Sequence, residues 1–163
     1  MQPDPQGQTE ERIRRARRED IAALLHVVGG PEVGRVRALR RLTKTLTADL
    51  YVLDRGSTVH GVVAVVYRRS LAHGGLTATI DAIGAWSEDA TGDQTQRDTA
   101  ALLACAISRA RRRGCVAIDT ALPSAGIRAT LEAQGFSPGA TQLVLGLRDG
   151  LPDDAAAAAR NPS

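Results

Sequence analysis

Aromatic side chains are scarce in this chain: Phe, Trp and Tyr together make up 2% of its 163 residues. A core must therefore be built from Val, Leu, Ile and Ala, with Tyr51, Tyr67, Trp86 and Phe136 as its few large fillers. The scarcity also removes the interleaved aromatic platform on which single-stranded nucleic acids stack. Basic residues number 21 against 18 acidic ones, a mild excess with the signs interspersed, so a nucleic-acid partner is not expected. Lysine is nearly absent. Of the basic residues only Lys44 is lysine and the rest are arginine, the side chain suited to bidentate recognition of phosphate and carboxylate.

Cysteine is limited to Cys105 and Cys115, which fall in a helical and a strand pattern without metal-type spacing and read as buried, reduced thiols. His26, His60 and His73 stand singly, and no group of His, Cys and acid suggests a metal centre. No apolar run approaches the ~18 residues of a membrane span, and the polar, Pro-bearing N-terminus has no signal-peptide core. The expectations are a cytoplasmic location and no membrane partner.

What the chain does have is 43% hydrophobic residues, enough for one real core. Residues 1–10 and 150–163 read as disordered tails around a single domain at 11–149. Arg12 to Arg17 reads as a short strand, and Arg18-Glu19-Asp20 opens a helix carrying Ile21, Leu24, Leu25 and Val28 at helical spacing. Gly29-Gly30-Pro31 stops it, and a second helix runs from Glu32 to about Leu46 with Arg35, Arg37, Arg40, Arg41 and Lys44 off its apolar stripe. Solvation of a helix face accounts for these cations; attraction of an acidic substrate is the other reading.

The period then changes. Asp49 to Asp54 and Val59 to Tyr67 are β-branched and apolar on either side of the turn Arg55-Gly56-Ser57-Thr58, and a third strand, Leu76 to Ala85, follows a Gly-bearing turn. After the polar loop Ser87 to Gln96, a helix from about Arg97 to Arg113 is closed by Gly114. Cys115 to Leu122 is another strand, Pro123-Ser124 opens a short helix to Ala133, and Gly139 to Arg148 is the last strand. The order β-α-α-β-β-β-α-β-α-β describes an α/β fold of α+β character, a mixed sheet flanked by helices. The strand, loop and helix between Leu76 and Gly114 are the most informative part. A strand that delivers its C-terminal end to a helix N-terminus makes an anion site, because the first helical amides lack partners and the dipole favours negative charge.

This order resembles the GNAT superfamily of N-acyltransferases, which use acetyl-coenzyme A or another acyl-coenzyme A. The resemblance covers roughly Arg12 to Arg148. It is carried together by the stretch from Arg14 to Asp20, the hairpin with Val59-His60-Gly61-Val62-Val63, the Ala100-Ala101-Leu102-Leu103 helix ending in Arg113-Gly114-Cys115, and Leu131-Glu132-Ala133-Gln134-Gly135-Phe136. It implies an N-acyltransferase moving an acetyl or other acyl group from coenzyme A to a small-molecule or peptide amine. Direct attack is implied, with no metal and a possible homodimer. The alternative is a GNAT-fold binding or regulatory module without transfer chemistry.

In the family, the loop before the third helix carries Gln or Arg, two residues, Gly, one residue, then Gly or Ala, and its amides hold the coenzyme A diphosphate. The resemblance sets Gln94 on the first position, Arg97 on the first Gly and Thr99 on the last small residue, with Asp98 between them. Arg97 either crowds the phosphate or pairs with it through its guanidinium. The backbone of Gly84, Ala85 and Trp86 is implied to polarise the thioester carbonyl. Two family positions depart: an Asn is replaced by Ala125, and a proton-donating Tyr by Leu131. From the residues themselves, Asp81 is the first candidate for the general base, a lone charge in an apolar strand. Glu88 is the second and Asp119 the third, each otherwise a hydrogen-bonded structural carboxylate or a solvated loop residue.

Overall fold

The computed structural model describes residues 11–25, 32–86, 92–121, 125–138 and 142–146. Among these residues seven strands form one sheet in the order β1-β2-β3-β4-β5-β7-β6. They are β1 (Glu11–Arg15), β2 (Ala48–Arg55), β3 (Thr58–Ser70), β4 (Gly75–Ala85), β5 (Ala117–Ala121), β6 (Ser137–Pro138) and β7 (Gln142–Gly146). The helices are α1 (Ile21–Leu24, after a 3-10 turn at Arg18–Asp20), α2 (Glu32–Leu42), α3 (Gly92–Arg112) and α4 (Ala125–Ala133). Neighbours pair antiparallel from β1 through β4, β4 and β5 are parallel, and β5 and β6 each pair antiparallel with β7.

The expected order holds, with differences at the edges. The last strand of the sequence reading, Gly139 to Arg148, is β7, and a two-residue strand, β6, precedes it. Helix α2 stops at Leu42, because Thr43, Thr45 and Thr47 offer the backbone other partners: the Thr43 hydroxyl donates to the Arg40 carbonyl at 3.0 Å. The β2–β3 turn holds Gly56 at φ 57° and Ser57 at φ 71°, the left-handed pair that matches the twist of a two-residue hairpin. The expected tails lie outside the described residues, as do His26 and the loop 87–91.

Two irregular steps decide which way β3 and β4 face. Between β2 and β3 the pairing passes from Leu53↔Gly61 to Asp54↔Val59, leaving His60 as the extra residue. Between β3 and β4 it passes from Ala64↔Ala82 to Val65↔Ile80, leaving Asp81 extra. One inserted residue exchanges the two faces of a period-two strand. Ala78 and Ile80 point to the α3 side of the sheet, whereas beyond Asp81 it is Ala82 and Trp86 that pack on the α1–α2 side. Asp81 itself is exposed, which explains how a charge sits inside this strand.

The sheet thus has a core on each face. Under α3 lie Leu53, Val63, Val65, Ile80, Ile118 and Leu131, closed by Leu102, Leu103, Ala106 and Ala110 of the helix. The alanines let α3 sit close to the strands, an aromatic-poor solution to filling a core. Under α1 and α2 lie Leu24, Leu39, Leu50, Val52 and Val62.

Arginine clamps tie the helices down. Arg14 bridges Asp54 (2.6 Å) and Asp20 (2.8 Å to each oxygen), and the Asp20 carboxylate also accepts the Arg17 amide. Arg113, in the turn after α3, grips both oxygens of Asp49 at 3.0 Å and stacks its guanidinium 4.2 Å from the Tyr67 ring. Cys105 is half-buried and Cys115 buried, and burial raises both thiols above their ordinary range.

Candidate functional site

The parallel pair β4–β5 is short. It runs from Thr77↔Ala117 to Ile80↔Thr120 and ends there, with the Thr120 hydroxyl donating to the Ile80 carbonyl at 3.2 Å. β4 continues from Asp81 to Ala85 with β3 on one side and, among the described residues, no strand on the other. A wedge therefore opens between two parallel strands at their C-terminal ends, where the bulge at Asp81 bends β4. Both following helices start at this end, α3 at Gly92 and α4 at Ala125. A crevice at the carboxyl ends of parallel strands, facing two helix N-termini, is built to receive an anionic ligand.

Successive peptide groups of a strand point to opposite edges. The Trp86 amide is spent on the His60 carbonyl at 2.8 Å, toward β3. The neighbouring Ala85 amide consequently faces the open edge. Of the three residues expected to polarise a carbonyl, Ala85 is placed to do so by its amide. Gly84 is half-buried on the same strand, and Trp86 packs against the α1–α2 core as a wall of that side.

Helix α3 begins five residues earlier than its apolar stripe suggests, so Gln94, Arg97, Asp98 and Thr99 lie on the helix and not in a loop before it. Residues 92–96 are polar and leave no periodic signal, but Asp93 favours the first turn and Gln94 donates to Asp98 at 2.8 Å one turn on. The helical amides without intrahelical partners are thus those of the first turn, from Gly92 to Thr95. The side chains of this stretch are mostly engaged. Asp98 is buried at 2% exposure and is held by both arms of Arg55, at 2.9 and 2.5 Å. Burial would raise its pKa, but the Arg55 and Gln94 hydrogen bonds outweigh that and hold it below the usual carboxylate range. The Thr99 hydroxyl donates to the Thr95 carbonyl. Asp98 therefore differs from the expectation of a ligand contact: it is a buried anion matched to Arg55, which in turn bonds Glu11 at 2.8 Å.

Arg97 is different. It is exposed, has no hydrogen bond or ion pair among the described residues, and lines a groove of about 460 Å³ between α3 and α4 with Asp93, Gln96, Ala100, Ala129 and Gln134. It does not plug the wedge.

Of the candidate bases, Asp81 stands exposed at the bulge where the wedge begins, and Glu88 lies outside the described residues. Asp119 is buried on β5 and 3.5 Å from Arg68, before the strands part. Leu131 is a fully buried core residue with no proton to give, and the Ala125 side chain lies outside the described residues. The structure also brings His60 to this end of the sheet, half-buried beside Trp86 and within electrostatic reach of Asp98. Nothing in the sequence singles His60 out, because its place depends on a one-residue bulge.

The sequence matches no family model and no curated protein. Solved structures match closely in shape. A transcriptional regulator from Bacillus halodurans C-125 aligns with a TM-score of 0.70 at 23% identity, over 87% of this chain and 100% of that one. The protein yncA from Salmonella typhimurium, solved with acetyl-coenzyme A, aligns at 0.68 and 17% identity, over 86% and 95%. An N-acetyltransferase from Staphylococcus aureus Mu50 aligns at 0.67 and 14% identity, over 85% and 99%. The chain has the GNAT fold. In that fold, the parted β4 and β5 and the start of α3 lie together at one end of the sheet. Among the described residues no three His, Cys, Asp or Glu gather as a metal site, and no helix is long and apolar enough to cross a membrane.

Proposed function

We propose that the protein transfers an acyl group from an acyl-coenzyme A to a primary amine. The observation that carries this is the wedge beyond Ile80 and Thr120, an opening between parallel strands that faces the first turn of α3. The pantetheine arm of the thioester lies along the open edge of β4, where it replaces the missing strand partner. The diphosphate sits on the amides from Gly92 to Thr95 and pairs with the unpartnered guanidinium of Arg97. The amine nitrogen attacks the thioester carbonyl carbon, the carbonyl oxygen takes up negative charge against the Ala85 amide, and the C–S bond then breaks to release the thiolate while the nitrogen passes its extra proton through water to the departing sulfur. Asp81, directly or through water, accepts the proton that the ammonium sheds before attack. A thiol of pKa near 8.5 leaves tolerably without an acid, so Leu131 in place of a proton donor slows collapse without forbidding it.

Calorimetric titration with acetyl-coenzyme A tests the binding step, and thiol release with a panel of amines tests transfer. Saturable binding with release of free thiol supports the proposal; no binding of acetyl-, propionyl- or longer acyl-coenzyme A rejects it. The buried Leu131 favours a second reading, a GNAT-fold module that binds without transferring. Saturable binding with no thiol release for any amine selects that reading.

A further inference from the structure

At the end of the sheet opposite the wedge, three chain reversals meet: the α2–β2 connection at 43–47, the β3–β4 turn at 71–74 and the α3–β5 connection at 113–116. Arg113 donates to the Leu46 carbonyl at 3.0 Å, Tyr67 to the Thr47 carbonyl at 2.8 Å, and Val116 to the Leu76 carbonyl at 2.8 Å, so they are neighbours. Six residues of β4, Gly75 to Ile80, separate this end from the start of the wedge, about 20 Å at the rise of a strand.

Positive charge collects here. Arg40, Arg41 and Lys44 close α2, Arg68 and Arg69 close β3, and Arg111 and Arg112 close α3, all exposed. The carboxylates at these reversals, Asp49 and Asp119, are buried and already matched to Arg113 and Arg68. Arg40, Arg41, Lys44, Arg69, Arg111 and Arg112 have no ion-pair partner among the described residues. At the wedge end Arg12, Arg14 and Arg55 each meet an aspartate, although Arg97 does not. A groove of about 480 Å³ beside α2 is lined by Arg37, Arg40, Arg41, Lys44 and Thr45, with no carboxylate.

Among the described residues, the same end carries the two large exposed apolar side chains, Leu46 at 82% exposure and Leu71 at 102%, the latter in the turn that follows Arg68, Arg69 and Ser70. A single exposed leucine means little. Two at the rim of an unneutralised cationic surface match a bilayer interface, where headgroups meet the cations and apolar side chains enter the layer below. A nucleic acid would use the cations but leave both leucines in water.

We propose that this end of the protein docks peripherally on an anionic lipid surface. That no helix among the described residues is long and apolar enough to cross a bilayer bears only on crossing, and docking here leaves the wedge facing away from the lipid. The surface shares no residue with the acyl-coenzyme A site, so the two stand or fall separately.

Sedimentation of the full chain with phosphatidylcholine vesicles, with and without about one-third phosphatidylserine, is the test. Binding is expected only to the anionic vesicles and weakens as salt is raised. A basic residue near such a surface contributes about five-fold in binding, so Arg69→Gln, Arg111→Gln and Arg112→Gln combined should lower affinity about 100-fold with an unchanged melting temperature. Leu71→Ser should weaken binding while leaving the steepness of its salt dependence intact. Failure to bind anionic vesicles at low salt overturns the proposal, as does wild-type affinity in the triple variant. Tighter binding to duplex DNA or RNA than to the vesicles under the same conditions also overturns it, and assigns the surface to nucleic acid.

Discussion

Gly61 shows how little slack surrounds the site. A Cβ there would stand 2.8 Å from Leu102 Cδ1 and 3.1 Å from the Gly84 carbonyl, so β3, β4 and α3 close on one another over the absence of a side chain. Gly61→Ala should cost about 1–3 kcal/mol by forcing these elements apart, a loss measurable by urea denaturation. Arg55 is another position where the surroundings set the cost. Arg55→Met leaves buried Asp98 with only the Gln94 amide, and unfolding free energy should fall by about 3 kcal/mol. Arg97 should behave in the opposite way. With no intramolecular partner among the described residues, Arg97→Ala should leave the melting temperature unchanged and weaken coenzyme A binding about ten-fold, the value of one charge-assisted bond reduced by screening. A stability loss without an affinity change would remove Arg97 from the site. Asp81 was legible as an oddity because a carboxylate interrupts an apolar strand; His60 was not, since its placement comes from strand pairing and not from its neighbours in the chain.

Elements were legible where hydrophobic spacing marks them. The hairpin strands β2 and β3, the apolar stripe of α3 from Leu102 to Ala110 and the breaks at Gly114 and Gly135 all follow from period and punctuation. The first turn of α3 was not legible, because Gly92 to Gln96 is held by end effects and one side-chain hydrogen bond that spacing cannot detect. That miss matters for the proposed site: it moves the first-turn amides without intrahelical partners upstream of Arg97 to Gly92–Thr95. The strand bulges were equally hidden, although the Asp81 bulge both turns Trp86 to the α1–α2 side and starts the wedge. Deleting Asp81 should bring Ile80 and Ala82 together still opposite Val65 and Ala64, so that pairing becomes unbroken, residues 82–86 keep their faces and the local bend is lost. The expected result is a cooperative melt by circular dichroism together with weakened acyl-coenzyme A binding; unchanged binding would show that the bulge is dispensable for the proposed site.

For the molecule as a whole, the arginine clamps set an acid limit. Asp20 and Asp54 are held below the usual carboxylate range chiefly by hydrogen bonds from Arg14, and Asp98 by Arg55 and Gln94 against the opposing effect of burial. The unfolded chain binds protons to these groups more readily than the folded one. Their contribution is therefore fully present above about pH 4 and is lost as pH falls through the depressed folded values. Tyr67 adds a limit at the other side, since burial and the adjacent Asp49 raise its phenol above the ordinary value. The unfolded tyrosine gives up its proton first, so that share of stability declines above about pH 10. Melting temperature should form a plateau between these limits; a steady rise from pH 7 down to pH 3 would contradict the clamps.

Helix α3 is fastened at both extremities to β2, through Asp98 and Arg55 near its start and through Arg113 and Asp49 just past its end. A rod nailed twice to the same plank can neither tilt nor slide. On the proposed function, any adjustment to acyl groups of different bulk must then come from the α4–β7 limb, whose described residues carry no such rivets. Hydrogen exchange should report this as early opening of α4 while the α3 amides wait for complete unfolding.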